Sequence, residues 1–529
     1  MANTEMRHFP RVTTQKSNIK RLYADLSGGV LADQAKRVNG ISSISNITSE
    51  KYPFLSKRKT YTKRDFSYDF TNGMGIFKGQ IYYMQNEDFC CEGTKLFSVS
   101  EGSKKFLWFN EKIIILPDMM YYEPSSGLYG TLRESTGHIT YCITKRIVGS
   151  VNWGRSCITS DTFQLTDIFK KGDGLYLDDG EGHGFGGFHK IIDVDEGMNY
   201  IFFEAFEFGD GGNITMHGTL SHGAPEGCDA ACVCSGRLWV VNGSKIHASS
   251  INDGRNWAVG GDDEKASFAC EYDNSEKIKA CIEFKGNPVF FSENKIYRIY
   301  GDRASNFRLK CVSSWGGVYG MMTHSIAVVK DKIYYVSKHG ITCFDGTSPR
   351  VLKNAPISSD GVAYSASDGR NYYIYTINSH GQGLYVYDTD CDFWQYHNGI
   401  YGALGLFEYN GAICALKNNS ITVILDNNED FIEGYTPDMA AFANISLRFK
   451  IDGGEPVVLA VDCSKYDTNG YSIMMTCDST YFRMIGAISG SDQGIKKFSI
   501  VPRKTNTADI SIFGSGEIDI KGIYMDVSY

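Results

Sequence analysis

Of 529 residues, 33 are Tyr, 31 are Phe and 57 are Gly but only 11 are Pro, which favours many short strands joined by tight turns. The length calls for two to four domains, and charged residues at 22% are ordinary for a globular chain. No run of about 18 apolar residues occurs, which excludes a membrane helix, and 15 Cys at irregular spacings exclude a disulfide framework in favour of reduced, buried thiols.

The chain starts MANTEMRHFPRVTTQKSNIKRLY, without the apolar stretch of a secretion signal, so synthesis in the cytoplasm is expected. Residues 1–60 are polar and aperiodic and read as an extended arm that orders against something else. The arm is basic. Residues 1–65 hold 13 Lys/Arg against 5 Asp/Glu, which leaves a net −16 on the rest of a chain whose total is −8. A basic arm on an acidic body suits contact with nucleic acid or with an acidic neighbour.

Beyond the arm one unit recurs: an aromatic strand, a turn of Gly, Asn or Asp, and a second strand. Two such units lie at 79–100 and 111–123. Five more start at 236, 287, 331, 371 and 411, separated by 51, 44, 40 and 40 residues. Asn242-Gly243 and His339-Gly340 supply the positive φ that two-residue hairpin loops need. Hairpins at that spacing predict a β-propeller over 61–124 and 231–434, with a β-sandwich chain or a solenoid as the competing arrangements. Residues 125–230 break the period and read as an inserted small β-domain. Residues 435–529 hold long alternating strands and read as a C-terminal β-sandwich. No stretch keeps a 3.6-residue apolar period, so the fold class is all-β with little helix.

SSINDGRNW at 249–257 carries S-x-N-x-G-x-x-W through Ser250, Asn252, Gly254 and Trp257. The pattern resembles the Asp box of sialidases and other propeller proteins, with Asn in place of Asp. Ser, Asn and Gly bend and hydrogen-bond a turn, and the Trp packs beneath it, so the motif reports a blade turn rather than catalysis. A sialidase also needs an arginine cluster and a Tyr/Glu pair, and Arg298, Arg303, Arg308, Arg350 and Arg370 show no matching placement.

GHGFGG at 182–187 matches G-x-G-x-x-G but no helix follows, which leaves a loop. Asp388, Asp390 and Asp392 in DTDCDFW have calcium-loop spacing, as do Asp426, Asn428 and Asp430 approximately. Both lack Gly at position six and Glu at position twelve, so hairpin turns are the better reading. Cys228, Cys232 and Cys234 lack a second zinc knuckle. No catalytic residue, metal ligand or cofactor is assigned.

Three stretches carry a family resemblance: 46–61 (NITSEKYPFLSKRKTY), 287–352, and VYDTDCDFW at 386–394. They resemble a family of tailed-phage and prophage virion proteins and, more distantly, the β-propeller nozzle or tail tubular proteins of short-tailed phages. The resemblance covers about residues 20–430. It implies a structural role at the head-to-tail connector or neck, in a homo-oligomeric ring that continues the channel. Portal, adaptor and tail proteins would be partners, passing DNA would be met without sequence specificity, and no membrane is involved. The arm would strap onto an acidic neighbour through Lys57, Arg58 and Lys59. A tail-tip or baseplate protein that binds host-surface glycan is the alternative, and a glycosidase with paired carboxylates is a third.

Overall fold

A computed structural model describes residues 18–529 apart from 33–36, 71, 149–150, 172, 178–186, 205–213, 258–265, 274, 354, 380, 410, 426–435, 438–441, 466, 468 and 490–492. Among the described residues it is all-β, with one α-helical turn at Leu165–Ile168 and one 3₁₀ turn at Met322–Ser325. No helix there is long and apolar enough to cross a membrane.

Seven small sheets follow one another along the chain, which we number blades 1 to 7: 74–98, 105–131, 230–271, 280–313, 327–351, 362–397 and 405–425. Each is an antiparallel meander in which neighbours in sequence pair. The apolar clusters lie between blades rather than within them. Tyr82 and Phe89 of blade 1 pack with Ile113 and Ile115 of blade 2, and Ile114 of blade 2 packs with Leu238 of blade 3. The sequence of clusters continues round to Ile81 and Tyr83 of blade 1 against Cys414 and Val423 of blade 7. That cycle is a closed seven-bladed propeller. Each blade is too thin to bury its own faces and gains its core only from its neighbours.

The ring is closed by a strand from far upstream. Thr62–Asp65 adds antiparallel to Ser420–Leu425, with Ile421 opposite Arg64, and supplies the fourth strand of blade 7. Strands from the two ends of the propeller segment thus share one blade, and Thr436–Pro437 pairs with the other side of Thr62–Asp65.

Between blades 2 and 3 the chain leaves the ring to build a closed six-stranded barrel over 133–223. Its core holds Tyr141, Ile158, Phe169, Leu175, Phe203 and Leu220, all 1% exposed or less. The GHGFGG stretch falls almost wholly outside the described residues.

The C-terminal strands form a sandwich around the 23-residue strand Ala443–Lys465. Its first half pairs with Thr505–Gly514 and its second with Ile518–Ser528 and Gln493–Ser499. The change of sheet falls at Asp452 and Gly453, whose φ values of +53° and +83° turn the strand.

The N-terminal segment departs from expectation. Its described residues are not an arm: Ile19–Tyr23, Gly40–Ser45, Ile47–Thr48 and Leu55–Lys57 are strands of this sandwich. Ile19–Tyr23 pairs with the end of Ile518–Ser528, Gly40–Ser45 pairs with Ala443–Lys465, and Leu55–Lys57 pairs with Ile518–Ser528. The cause is apolar burial. Leu22, Ile41, Ile44, Ile47 and Leu55 sit in the sandwich core, each worth about 1.5–3 kcal/mol. Lys51 and Ser56 both hold the buried Asp519 carboxylate, at 3.0 and 2.7 Å. Residues 1–17, the rest of the proposed arm, lie outside the described residues.

Candidate functional site

The N-terminal segment therefore runs through the sandwich, past blade 6 and into blade 7, and the polar side chains it carries gather at that passage. Gly40–Ser45 and Ile47–Thr48 lie against the outer strand of blade 6, Phe393–His397. Val30 N–H donates to the Trp394 carbonyl at 2.8 Å and Trp394 N–H to the Gly28 carbonyl at 3.1 Å. Gly29 lies between them at φ +63°, where a Cβ would overlap the Trp394 carbonyl.

One hydrogen-bonded chain crosses this junction. Arg370 donates to Asp388 through Nε at 3.2 Å and Nη2 at 2.6 Å. Ser49 Oγ donates to Asp388 Oδ2, the oxygen that Arg370 Nη2 also bonds, at 2.7 Å, and Gln395 Nε2 donates to Ser49 at 3.0 Å. Gln395 Oε1 can only accept, so His397 Nε2, 3.0 Å away, carries a proton. His397 Nδ1 then accepts from Tyr61 OH at 2.8 Å. Asp388, Gln395 and His397 are each buried, at 1%, 4% and 5% exposure. Burial raises the Asp388 carboxyl, but the bonds from Arg370 and Ser49 outweigh it and hold the group below its ordinary value. Burial drives the His397 imidazole far below its ordinary value, and the Arg58 charge adds to that. A Ser49→Ala chain should lose about 1–2 kcal/mol, because Gln395 and Asp388 each lose a buried partner; the midpoint of urea unfolding measures it.

Of the proposed strap residues, Arg58 is 6% exposed and cannot meet a partner protein. Its Nε donates to Asn46 Oδ1 at 2.8 Å, Nη1 to the Lys59 carbonyl at 2.9 Å and Nη2 to the Asn398 carbonyl at 3.0 Å. Its guanidinium stacks 3.6 Å from the Tyr61 ring centroid. Lys57 is half-buried, and burial lowers its ammonium pKa against the pull of Asp467 and Glu517. Lys59 is exposed. Arg58 and Lys59 border a cavity of about 690 Å³, lined also by Thr48, Asp368, Asn371 and His397.

The DTDCDFW carboxylates are spent on ion pairs and hydrogen bonds, with Arg370 shared between Asp388 and Asp390. Asp388 holds Arg370 and Ser49, Asp390 pairs with Lys330, and Asp392 accepts from Tyr387 OH at 2.7 Å. Asp426, Asn428 and Asp430 lie outside the described residues. Cys232 and Cys234 are buried free thiols, and no group among the described residues could hold a metal ion.

Ser250, Asn252, Gly254 and Trp257 form a turn between the third and fourth strands of blade 3. Ser250 N–H donates to the Asn256 carbonyl at 2.8 Å and Asn252, at φ +57°, donates to Gly236 at 2.7 Å. Trp257 Nε1 donates to the Gly254 carbonyl at 2.6 Å, and its ring enters the core between blades 2 and 3. Arg255 of the same turn pairs with Glu134 at the base of the barrel. The turn thus fastens the insertion to the ring.

Sequence reasoning brought out Arg58 and Arg370 but missed Asn46, Ser49, Gln395, His397 and Tyr61. Each is a lone polar residue with no motif around it. Two of the stretches that carry the family resemblance, 46–61 and 386–394, meet at this junction.

No family model matches the chain, and no curated protein matches it. Among solved structures it is similar to an exo-β-1,3-galactanase from Phanerochaete chrysosporium crystallised with galactose, at 9% identity over 56% of this chain and 96% of that one, with a TM-score of 0.20. A family 29 carbohydrate-binding module is similar at 14% identity over 24% of this chain and 74% of that one, with a TM-score of 0.13. Scores this low assign no residue, substrate or activity to this chain.

Proposed function

We propose that this chain is a structural component of a tailed-phage virion, one subunit of a nozzle-like ring at the head-to-tail connector or neck. The observation that carries the reading is the double use of residues 19–65, which complete the sandwich and then close the propeller. The described N-terminal segment and the C-terminal strands are locked into one body, as a channel wall under mechanical load requires. The acidic remainder, net −16 beyond residue 65, repels passing DNA rather than gripping it. The role is mechanical rather than catalytic: the carboxylates at the junction are spent on Arg370, Ser49, Lys330 and Tyr387. Portal, adaptor and tail proteins are the partners on this reading, and the virion is the location.

A tail-tip role in glycan binding is favoured by one feature. Tyr23 is 67% exposed on the outer face of the sandwich, 5.8 Å from the Tyr524 ring, and Arg21 lies 4.2 Å over Tyr524. Such an aromatic surface suits a sugar ring. Immunogold labelling of intact particles decides between the two. Gold at the neck supports the connector, gold at the distal tip transfers the assignment to glycan binding, and unlabelled particles overturn both.

A further inference from the structure

Where the N-terminal segment passes blades 6 and 7, the three do not close on one another, and the cavity of about 690 Å³ lies between them. Its walls come from all three. Thr48, Glu50 and Lys59 belong to the passage, Asp368 and Asn371 to blade 6, and Ile424 to blade 7. The size falls within the ~300–1,000 Å³ of small-molecule sites. The walls are mostly polar, and the fold leaves several of their hydrogen-bonding groups unserved.

Two buried atoms point to a ligand. Asn371 Nδ2 donates to Asp368 Oδ2 at 2.8 Å, which fixes the orientation of the amide and leaves Oδ1 as its free acceptor. That Oδ1 is shielded from solvent and has no hydrogen-bond partner among the described residues, and the same holds for Thr48 Oγ1. Both residues line the cavity. Buried polar atoms are nearly always served, so two orphans on one cavity mark a place for water or for a ligand. Two charged groups join them. The Glu50 and Lys59 side chains line the same cavity, are exposed, and form no ion pair among the described residues.

Net charge does not select the occupant, because the lining cations Arg58, Lys59 and Arg370 are matched by Glu50, Asp368 and Asp388. Hydrogen-bonding capacity does. Asn371 Oδ1 and the Glu50 carboxylate can only accept, so each requires a donor. The Lys59 ammonium can only donate and requires an acceptor, while the Thr48 hydroxyl serves either way. Phosphate or a carboxylate brings acceptors and would meet Glu50 with like charge. A polyamine brings donors and would meet Lys59 with like charge. A hydroxyl both donates and accepts, so a row of hydroxyls answers every one of these groups. We propose that the cavity binds a small, uncharged, polyhydroxylated molecule, a sugar ring or a polyol. Such a ligand touches the passage and both blades at once. It therefore binds only the closed propeller and holds the closing segment in place. A free sugar and the end residue of a glycan chain share this chemistry.

The test is saturation-transfer NMR on the full-length chain with glucose, galactose, N-acetylglucosamine, mannitol, trehalose and maltotriose, followed by titration of whatever binds. Saturable binding with a Kd of about 1 mM or tighter is expected for at least one of them. Thr48→Val removes an orphaned hydroxyl and no bond within the protein. Its thermal melt without ligand should match the parent, while affinity falls about threefold to tenfold. Lys59→Ala should weaken binding by a similar factor. Binding of the single-ring sugars or mannitol with maltotriose excluded supports the proposal and makes the ligand a free small molecule. Tighter binding of maltotriose supports it and makes the ligand a chain end. Binding that neither variant weakens belongs to another surface and overturns the proposal. So does the absence of saturable binding by all six, which leaves the cavity to water. Binding of inorganic phosphate, spermidine or glycine in their place overturns it as well. None of these outcomes moves the gold label on the particle, so this site and the virion reading stand or fall separately.

Discussion

Arg58→Ala is expected to lower stability by about 3–5 kcal/mol, although the residue sits in a run of three surface-type cations. The buried guanidinium makes three hydrogen bonds and stacks on Tyr61. Bonds to a charged donor are worth about 1.5–3 kcal/mol each when broken, and they share one side chain, so they do not add in full. Arg58→Lys should recover less than half. An ammonium is a point donor that cannot serve Asn46, Lys59 and Asn398 together or stack as a plane does. Lys59→Ala, by contrast, should stay within about 0.5 kcal/mol of the parent, as exposed positions do. Urea unfolding of the three variants measures the difference. Limited trypsin digestion offers a second measurement: the Arg58→Ala chain should be cut faster at Lys51, Lys57 or Lys63, because the guanidinium ties that passage to blade 6. If Arg58→Ala and Lys59→Ala unfold alike, Arg58 is not the tie. One consequence bears on assembly. Neutralising all three cations at once would confound a lost partner contact with a damaged fold, so a strap is tested on Lys57 and Lys59 alone.

The propeller was legible where its blades are most buried. The hairpins quoted at 287, 331 and 371 are the second and third strands of blades 4, 5 and 6. Those strands lie between others and face neighbouring blades on both sides. Lys332–Ser337 is buried at all but its first residue, so it reads as an unbroken aromatic run. First and fourth strands were harder to see. Arg308–Ser313 is exposed or half-buried at all but its last residue and looks like a polar loop. The N-terminal strands were illegible for another reason. Ile41, Ile44 and Ile47 are separated by Ser and Asn, and the partner that makes them strands is some 400 residues away, Ile41 opposite Leu447. Local pattern cannot report a pairing of that range. The junction network shares the difficulty: Ser49, Asp388, Gln395 and His397 acquire meaning only when 46–61 and 386–397 are brought together. The turn at Ser250–Trp257 was readable because its bonds are local.

The same network predicts that the protein loses stability on mild acidification, well above the range where carboxylates titrate. His397 accepts from Tyr61 on Nδ1 and donates to Gln395 from Nε2, so both ring nitrogens are committed to the neutral form. A proton on Nδ1 would require the Tyr61 hydroxyl to turn from donor to acceptor and would leave a positive charge in a buried site beside Arg58. Burial first, and then the Arg58 charge, hold the folded pKa of His397 far below the 6.5 of a free imidazole. His247 follows the same rule, lowered to about 4 mainly by burial and then by Lys245, and His324 is lowered by burial and Lys105. A histidine whose folded pKa is depressed binds its proton more readily unfolded. Its contribution is thus complete above the unfolded pKa and is lost as pH falls below it. From pH 7 to pH 5 a fully neutral buried histidine forfeits about 2 kcal/mol, so His397 and His247 together account for about 4 kcal/mol. Asp173 works in the opposite sense, since burial raises its carboxyl, but it is one group against three. The unfolding free energy should therefore drop between pH 7 and pH 5, with a slope that shrinks by about one proton in His397→Asn. The slope is the reading to take, because the substitution also perturbs stability at every pH. A wild-type curve flat from pH 7 to pH 5, or a His397→Asn curve parallel to it, would show that the imidazole titrates freely and that the chain from Arg370 to Tyr61 is not continuous.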